Sequence, residues 1–140
     1  METSKRGLMR HGVLLFIFGL LVGFVVPQFT NPRMGLTAHL EGVMNGTFLI
    51  ALGAAWSEVH LAARTKAIAY YAALYGAYAN WAATTLAAIF GTGALSPQTA
   101  PGRVGLPWQE TLVTVMLMSC GVAILAACLL SFWGLCAKVQ

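Results

Sequence analysis

His11-Gly12-Val13-Leu14-Leu15-Phe16-Ile17-Phe18-Gly19-Leu20-Leu21-Val22-Gly23-Phe24-Val25-Val26 runs for sixteen residues without an acid, a lysine or an arginine, and Pro27 closes it. At 1.5 Å per residue a helix of that length covers about 24 Å, most of a hydrocarbon core of roughly 30 Å. Three further apolar blocks follow, over residues 35–56, 62–90 and 108–135. None alternates polar and apolar residues as a membrane barrel strand must, so helices are the spanning structure left to them. The composition agrees. Of 140 residues, 59% are hydrophobic and 9% charged, whereas an average soluble domain carries about 25% charged. So short a chain cannot hide that much apolar surface from water. The reading is an all-α integral membrane bundle of four transmembrane helices, a single domain over residues 1–140. Lys5, Arg6 and Arg10 ahead of the first block would also suit a signal peptide. However, Pro27-Gln28-Phe29-Thr30-Asn31-Pro32 offers no small-x-small cleavage site and three more blocks follow, so a retained helix is expected.

Charge gives an orientation. Lys5, Arg6, Arg10, Arg64, Lys66 and Lys138 fall in the N-terminal tail, the middle link and the C-terminal tail, and only Arg33 and Arg103 fall in the other two connections. Six against two places both termini in the cytoplasm, in a multi-pass protein of the inner membrane. The net charge of +4 then reflects topology, and no basic stripe with interleaved aromatics suggests nucleic acid. Cys120, Cys128 and Cys136 are eight residues apart, match no metal-ligand spacing and read as packing residues. Residues 27–33 read as a tight outer turn, and residues 91–107, rich in Gly and Pro, as a long loop that is either a lid or a strap.

Polar residues inside spans are expensive and usually mark a site, about 2.5–3.5 kcal/mol each when charged and central. The second block holds the densest set, Thr37, His39, Glu41, Asn45 and Thr47, while His11 and His60 read as interfacial. Gly42 and Gly46, at i+3 and i+7, share a helix face with His39. That face is either a packing seam between helices or a haem ligand with glycine clearance beside it for a porphyrin. Glu41 and Asn45 lie one turn apart on another face, with Glu41 expected to be solvated near the outer interface. In the third block Tyr71, Tyr75 and Tyr78 form a stripe expected to pack. Gly76, Asn80 and Thr84 form a small, polar seam. Antiparallel neighbours could bring His39, Asn45 and Asn80 into one apolar pocket.

The strings His11-Gly12-Val13-Leu14-Leu15-Phe16, Asn31-Pro32-Arg33-Met34-Gly35-Leu36, Ala38-His39-Leu40-Glu41-Gly42-Val43-Met44-Asn45-Gly46 and Tyr78-Ala79-Asn80-Trp81 resemble hydroxylaminobenzene mutases nearly end to end. More distantly, the chain is similar to styrene oxide isomerases, which share the His-Gly opening, a His six residues before Asn-Gly, and an aromatic-Ala-Asn. The resemblance implies a homotrimer binding haem b between subunits, with His39 as the iron's axial ligand and Gly42 and Gly46 beside the cofactor. It implies Asn45 as the pocket amide, with Asn80 and Thr84 completing the catalytic set; Thr84 stands where the epoxide isomerase has a Tyr. The implied reaction rearranges hydroxylaminobenzene, a small aromatic hydroxylamine, to 2-aminophenol, with the iron acting as a Lewis acid. The rival reading from another class is a small four-helix multidrug exporter coupling protons through Glu41. A haem-based electron carrier would need a second axial ligand, and a purely structural scaffold is the remaining alternative.

Overall fold

The computed structural model describes residues 2–137 and contains four long helices, α1 (Glu2–Val25), α2 (Pro32–Ala55), α3 (Ala63–Phe90) and α4 (Pro107–Cys136), with a 3-10 turn over Val26–Gln28. Prolines set several of these bounds. Pro27 lies in the 3-10 turn, while Pro32 and Pro107 open α2 and α4, where a missing N–H has no intrahelical partner to lose. Asn31 caps α2 by accepting from the Met34 N–H at 3.3 Å. Gly91, at φ 70°, ends α3 in the left-handed conformation that only glycine adopts freely. The first helix starts at Glu2, well before the apolar block at residue 11, because its basic residues are good helix formers and continue the same helix outward.

Contacts at the two ends fix the topology. At one end the Lys5 backbone lies against Gly53, and the His60 N–H donates to the Gly134 carbonyl at 2.9 Å. At the other, the Asn31 N–H donates to the Ala88 carbonyl at 3.0 Å and its side-chain amide to the Thr99 carbonyl at 3.1 Å. The start of α1, the 56–62 link and the end of α4 therefore share one end of the bundle. Lys5, Arg6, Arg10, Arg64 and Lys66 lie at that end, and Arg33 and Arg103 at the other; Lys138 lies outside the described residues. The 91–106 loop is a fastened strap. One Glu110 oxygen accepts from the N–H groups of Gly93 (3.0 Å) and Gly105 (2.8 Å), the other from that of Ala94 (3.0 Å).

The helices do not close into a square. α2 packs on α1 and α3, α1 also touches α3, and α4 rests on α3 alone among the helices. Small side chains fill the inside: Ala69, Ala73, Ala77 and Ala127 join Leu8, Leu15, Leu49 and Trp56 in the main core. Large apolar side chains face out from every helix, among them Ile17 and Phe24, Leu40 and Met44, Ile68, and Met118 and Phe132. Small inside and large outside is the distribution of a membrane protein, for which lipid is no penalty. α1 and α4 are long and apolar enough to cross a membrane by themselves. α2 and α3 are as long, but they carry the polar residues that turn inward. Two sequence expectations need correction. Of the cysteines only Cys120 is buried, and Cys128 and Cys136 are exposed. The tyrosine stripe does not pack as a unit, since Tyr71 and Tyr75 are exposed.

α1 and α2 meet backbone to backbone. A Cβ on Gly19 would lie 2.7 Å from the Val43 nitrogen, and one on Gly46 would lie 2.7 Å from the Gly12 carbonyl oxygen. Neither neighbour can yield, because both are main chain. Gly46→Ala should therefore lower stability by about 1–3 kcal/mol, as overpacking does, and should reduce the thermal unfolding midpoint in detergent. Gly121→Ala is the control, because a Cβ there meets nothing within 4 Å. Its midpoint should hold or rise slightly.

Candidate active site

The polar residues of α2 and α3 form one bonded group. Glu41 Oε2 accepts from Asn45 Nδ2 at 2.9 Å and from Asn80 Nδ2 at 2.6 Å. The first bond follows from helix geometry, since i and i+4 stack one turn apart. The second crosses from α3, with its amide aimed at the same oxygen. Asn45 is buried, so its amide needs such a partner. Glu41 is thus not a solvated interfacial acid. It lies more than two turns past Pro32, half-buried between two helices. Beside it, Trp81 stacks on Phe18 at 5.2 Å, and its buried indole N–H has no acceptor among the described residues.

His39 leans the other way, onto α1. Its Nδ1 is 2.8 Å from the Gly19 carbonyl oxygen, and the ring occupies the notch at Gly23, where a Cβ would come within 2.7 Å of Nδ1. A carbonyl can only accept, so Nδ1 carries the hydrogen and, in the neutral ring, Nε2 keeps its lone pair. A backbone acceptor behind the ring is the usual support of a metal-binding imidazole. Among the described residues no three His, Cys, Asp or Glu side chains group together. One oriented imidazole could hold an iron whose remaining ligands are supplied by a porphyrin. On the chemistry of this donor, His39 fits an axial haem ligand.

Several expected placements change. Gly42 and Gly46 share the His39 face, but that face is closed. The space left by Gly42 is taken by the Gly19 backbone and Trp81, and that left by Gly46 by Gly12 and Phe16. They are a packing seam, with no clearance for a flat cofactor within this chain. His39 does not join Asn45 and Asn80 on one flank. Six residues along a helix turn a side chain by about 120°, and the partners agree: His39 bonds to Gly19 of α1, while Asn45 bonds to Glu41, which also takes the Asn80 amide of α3. The Gly76 seam also splits, since Gly76 meets Ile124 and Cys120 of α4 while Asn80 turns to α2. Thr84 is buried. Its hydroxyl hydrogen is directed at the Asn80 and Trp81 carbonyls, both at 3.0 Å, so it can offer a ligand space or an acceptor and has no free proton to donate. His11 is not a free interfacial residue: its Nδ1 lies 3.1 Å from the Tyr78 hydroxyl.

The chain matches the styrene oxide isomerase family over residues 4–136. It is 45% identical over 131 residues to the hydroxylaminobenzene mutase HabB of Ectopseudomonas oleovorans, which covers 93% of this chain and 80% of that one. To the hydroxylaminobenzene mutase HabA of the same organism it is 38% identical over 129 residues, covering 91% and 96% respectively. No solved structure gives a significant match. A match that spans all four helices, the amide–carboxylate group and the His39 notch leaves one assignment: this chain belongs to the styrene oxide isomerase family and is an isomerase.

Proposed function

We propose that the chain rearranges an arylhydroxylamine, hydroxylaminobenzene or a close analogue, to the corresponding 2-aminophenol inside the cytoplasmic membrane. The observation that carries this reading is the pair of amides held on one carboxylate within apolar helices, in a chain related along nearly its whole length to hydroxylaminobenzene mutases. The reaction breaks the N–O bond, forms a C–O bond at the ortho carbon, and moves one hydrogen from that carbon to nitrogen. No electrons are gained or lost. Oxygen must be redelivered without release, because bulk water would trap the ring at the para position. An apolar site in a membrane excludes that water and concentrates an apolar substrate.

The chain's residues divide the work. Asn45 and Asn80 hold the hydroxylamine and stabilise charge that develops as the N–O bond stretches. The apolar walls exclude water, and Thr84, one turn beyond Asn80, adds a hydroxyl oxygen that can accept. His39 would hold haem b through Nε2, and the group when bound would supply Lewis acidity toward the substrate. A homotrimer suits the open arrangement. With α4 on α3 alone, the outer flanks of α1 and α2 stay apolar and uncovered, and His39 sits toward one of them. As an isomerase, the chain does not use Glu41 as an exporter does.

Three outcomes test this. His39→Ala should insert normally but lose the Soret absorbance and the rearrangement. Full haem retention would move the ligand elsewhere. Asn45→Ala should keep haem while turnover falls about 10²–10³-fold, the worth of one oxyanion-type donor. If Asn45 only steadied Glu41 within α2, its loss would cost stability and leave turnover per haem nearly intact. For orientation, a cysteine placed at Arg103 in a cysteine-free background should react with an impermeant thiol reagent from outside intact cells. One placed at Arg64 should react only after lysis, and the reverse pattern would invert the topology.

A further inference from the structure

We infer that Glu41 is a positioning residue that sets the orientation of both amides and thereby the ortho selectivity of the rearrangement; this rests on the functional reading above. A primary amide has two faces to offer, a carbonyl that accepts and an NH2 that donates, and a half-turn about its last bond exchanges them. Left alone in an apolar interior, Asn45 and Asn80 could each present either group. Glu41 removes that freedom with a single atom. Its Oε2 takes one N–H from Asn45 at 2.9 Å and one from Asn80 at 2.6 Å. A carboxylate oxygen accepts, so both NH2 groups are turned toward it and both carbonyls away.

Each amide then keeps one N–H and its carbonyl, and neither carbonyl has a hydrogen-bond partner among the described residues. A donor and an acceptor are presented side by side, twice, from two helices. A hydroxylamine group has the matching pattern, with N–H and O–H to donate and oxygen lone pairs to accept. The migrating oxygen must reach the ortho carbon next to the nitrogen it leaves, so the orientation of the N–O bond over the ring decides between ortho delivery and escape to water. The groups holding that bond are the two amides, and the group holding the amides is Glu41. Its bond to Asn80 ties α2 to α3, and neither bond involves His39, which is fastened to α1.

The experiment compares Glu41→Met, Glu41→Gln and Glu41→Asp in detergent-purified protein with haem content recorded, using hydroxylaminobenzene as the probe and scoring 2-aminophenol against 4-aminophenol. The product ratio does not depend on how much protein is folded. Glu41→Met keeps the length but accepts from neither amide. It should bind haem as the wild type does, lose about 10²-fold in kcat for 2-aminophenol, as a misplaced substrate does, and release 4-aminophenol. Glu41→Gln retains an acceptor oxygen at the same reach. It should keep the ortho product, with a loss of about 10-fold or less, since a neutral acceptor binds about half as strongly as a charged one. Glu41→Asp is one methylene short of spanning both amides and should release 4-aminophenol like Glu41→Met, which keeps the test decisive if the Met variant does not fold. Unchanged ortho selectivity in Glu41→Met or Glu41→Asp overturns the inference, and so does a Gln variant as defective as Met, because charge would then be what matters. A wild-type protein that makes no 2-aminophenol overturns the functional reading first and this inference with it.

Discussion

The backbone contact between α1 and α2, at Gly12 against Gly46 and Gly19 against Gly42, is the constraint on which the remaining geometry depends. In lipid no hydrophobic force drives two helices together, so the contact must come from close packing and short polar bonds. Glycines on both helices let main chain touch main chain. That proximity accompanies a Gly19 carbonyl within 2.8 Å of His39 Nδ1. The same contact fixes the rotation of α2 about its axis. Once Gly42 and Gly46 face α1, Glu41 and Asn45 must face α3.

The second interface is built from polar groups. Asn45 is 7% exposed and Glu41 is half-buried. In a low-dielectric interior each unsatisfied amide or carboxylate would be destabilising by at least about 1–3 kcal/mol. Two N–H donors on one carboxylate oxygen offset that penalty only in one register of α2 against α3, since a shift of one turn would leave at least one amide unpaired. The α1–α2 seam demands only the absence of side chains at Gly12, Gly19, Gly42 and Gly46. The α2–α3 contact demands particular side chains at particular heights, and so it sets the register of the bundle as well as the shape of the site.

Much of this was legible in the sequence because helical periodicity assigns residues to faces. The spacing put His39, Gly42 and Gly46 on one face and Glu41 and Asn45 on another, and the hydrogen bonds respect that division. Periodicity does not say which neighbour a face meets, and every miss is of that kind. Glu41 looked like an interfacial acid because its partner Asn80 is 39 residues away on another helix. Spacing left the glycines beside His39 open between a packing seam and clearance for a porphyrin, because nothing in α2 alone shows that Gly12 and Gly19 fill the gap. The His11 bond was hidden for the same reason, because the charged start of α1 gives no hint of Tyr78. The bounds were closer to hand, since prolines and the left-handed Gly91 mark them locally, except at Glu2, where basic residues extend a helix without any apolar signal.

The division between the two flanks of α2 bears on why such an enzyme would assemble. His39 and Asn45 diverge by about 120° around the helix, so a ligand touching both within one chain would have to pass around α2, past the closed Gly42–Gly46 seam. A second copy offers a shorter route. In a homotrimer as proposed, the uncovered apolar flank of α1 and α2 that carries His39 would face another chain. In the proposed trimer this would make each site depend on two chains and place it where the fold is least complete. It would also explain why α4 packs on no helix but α3. Its task would then be to cover α3 against lipid while α1 and α2 are left free for the neighbouring subunit.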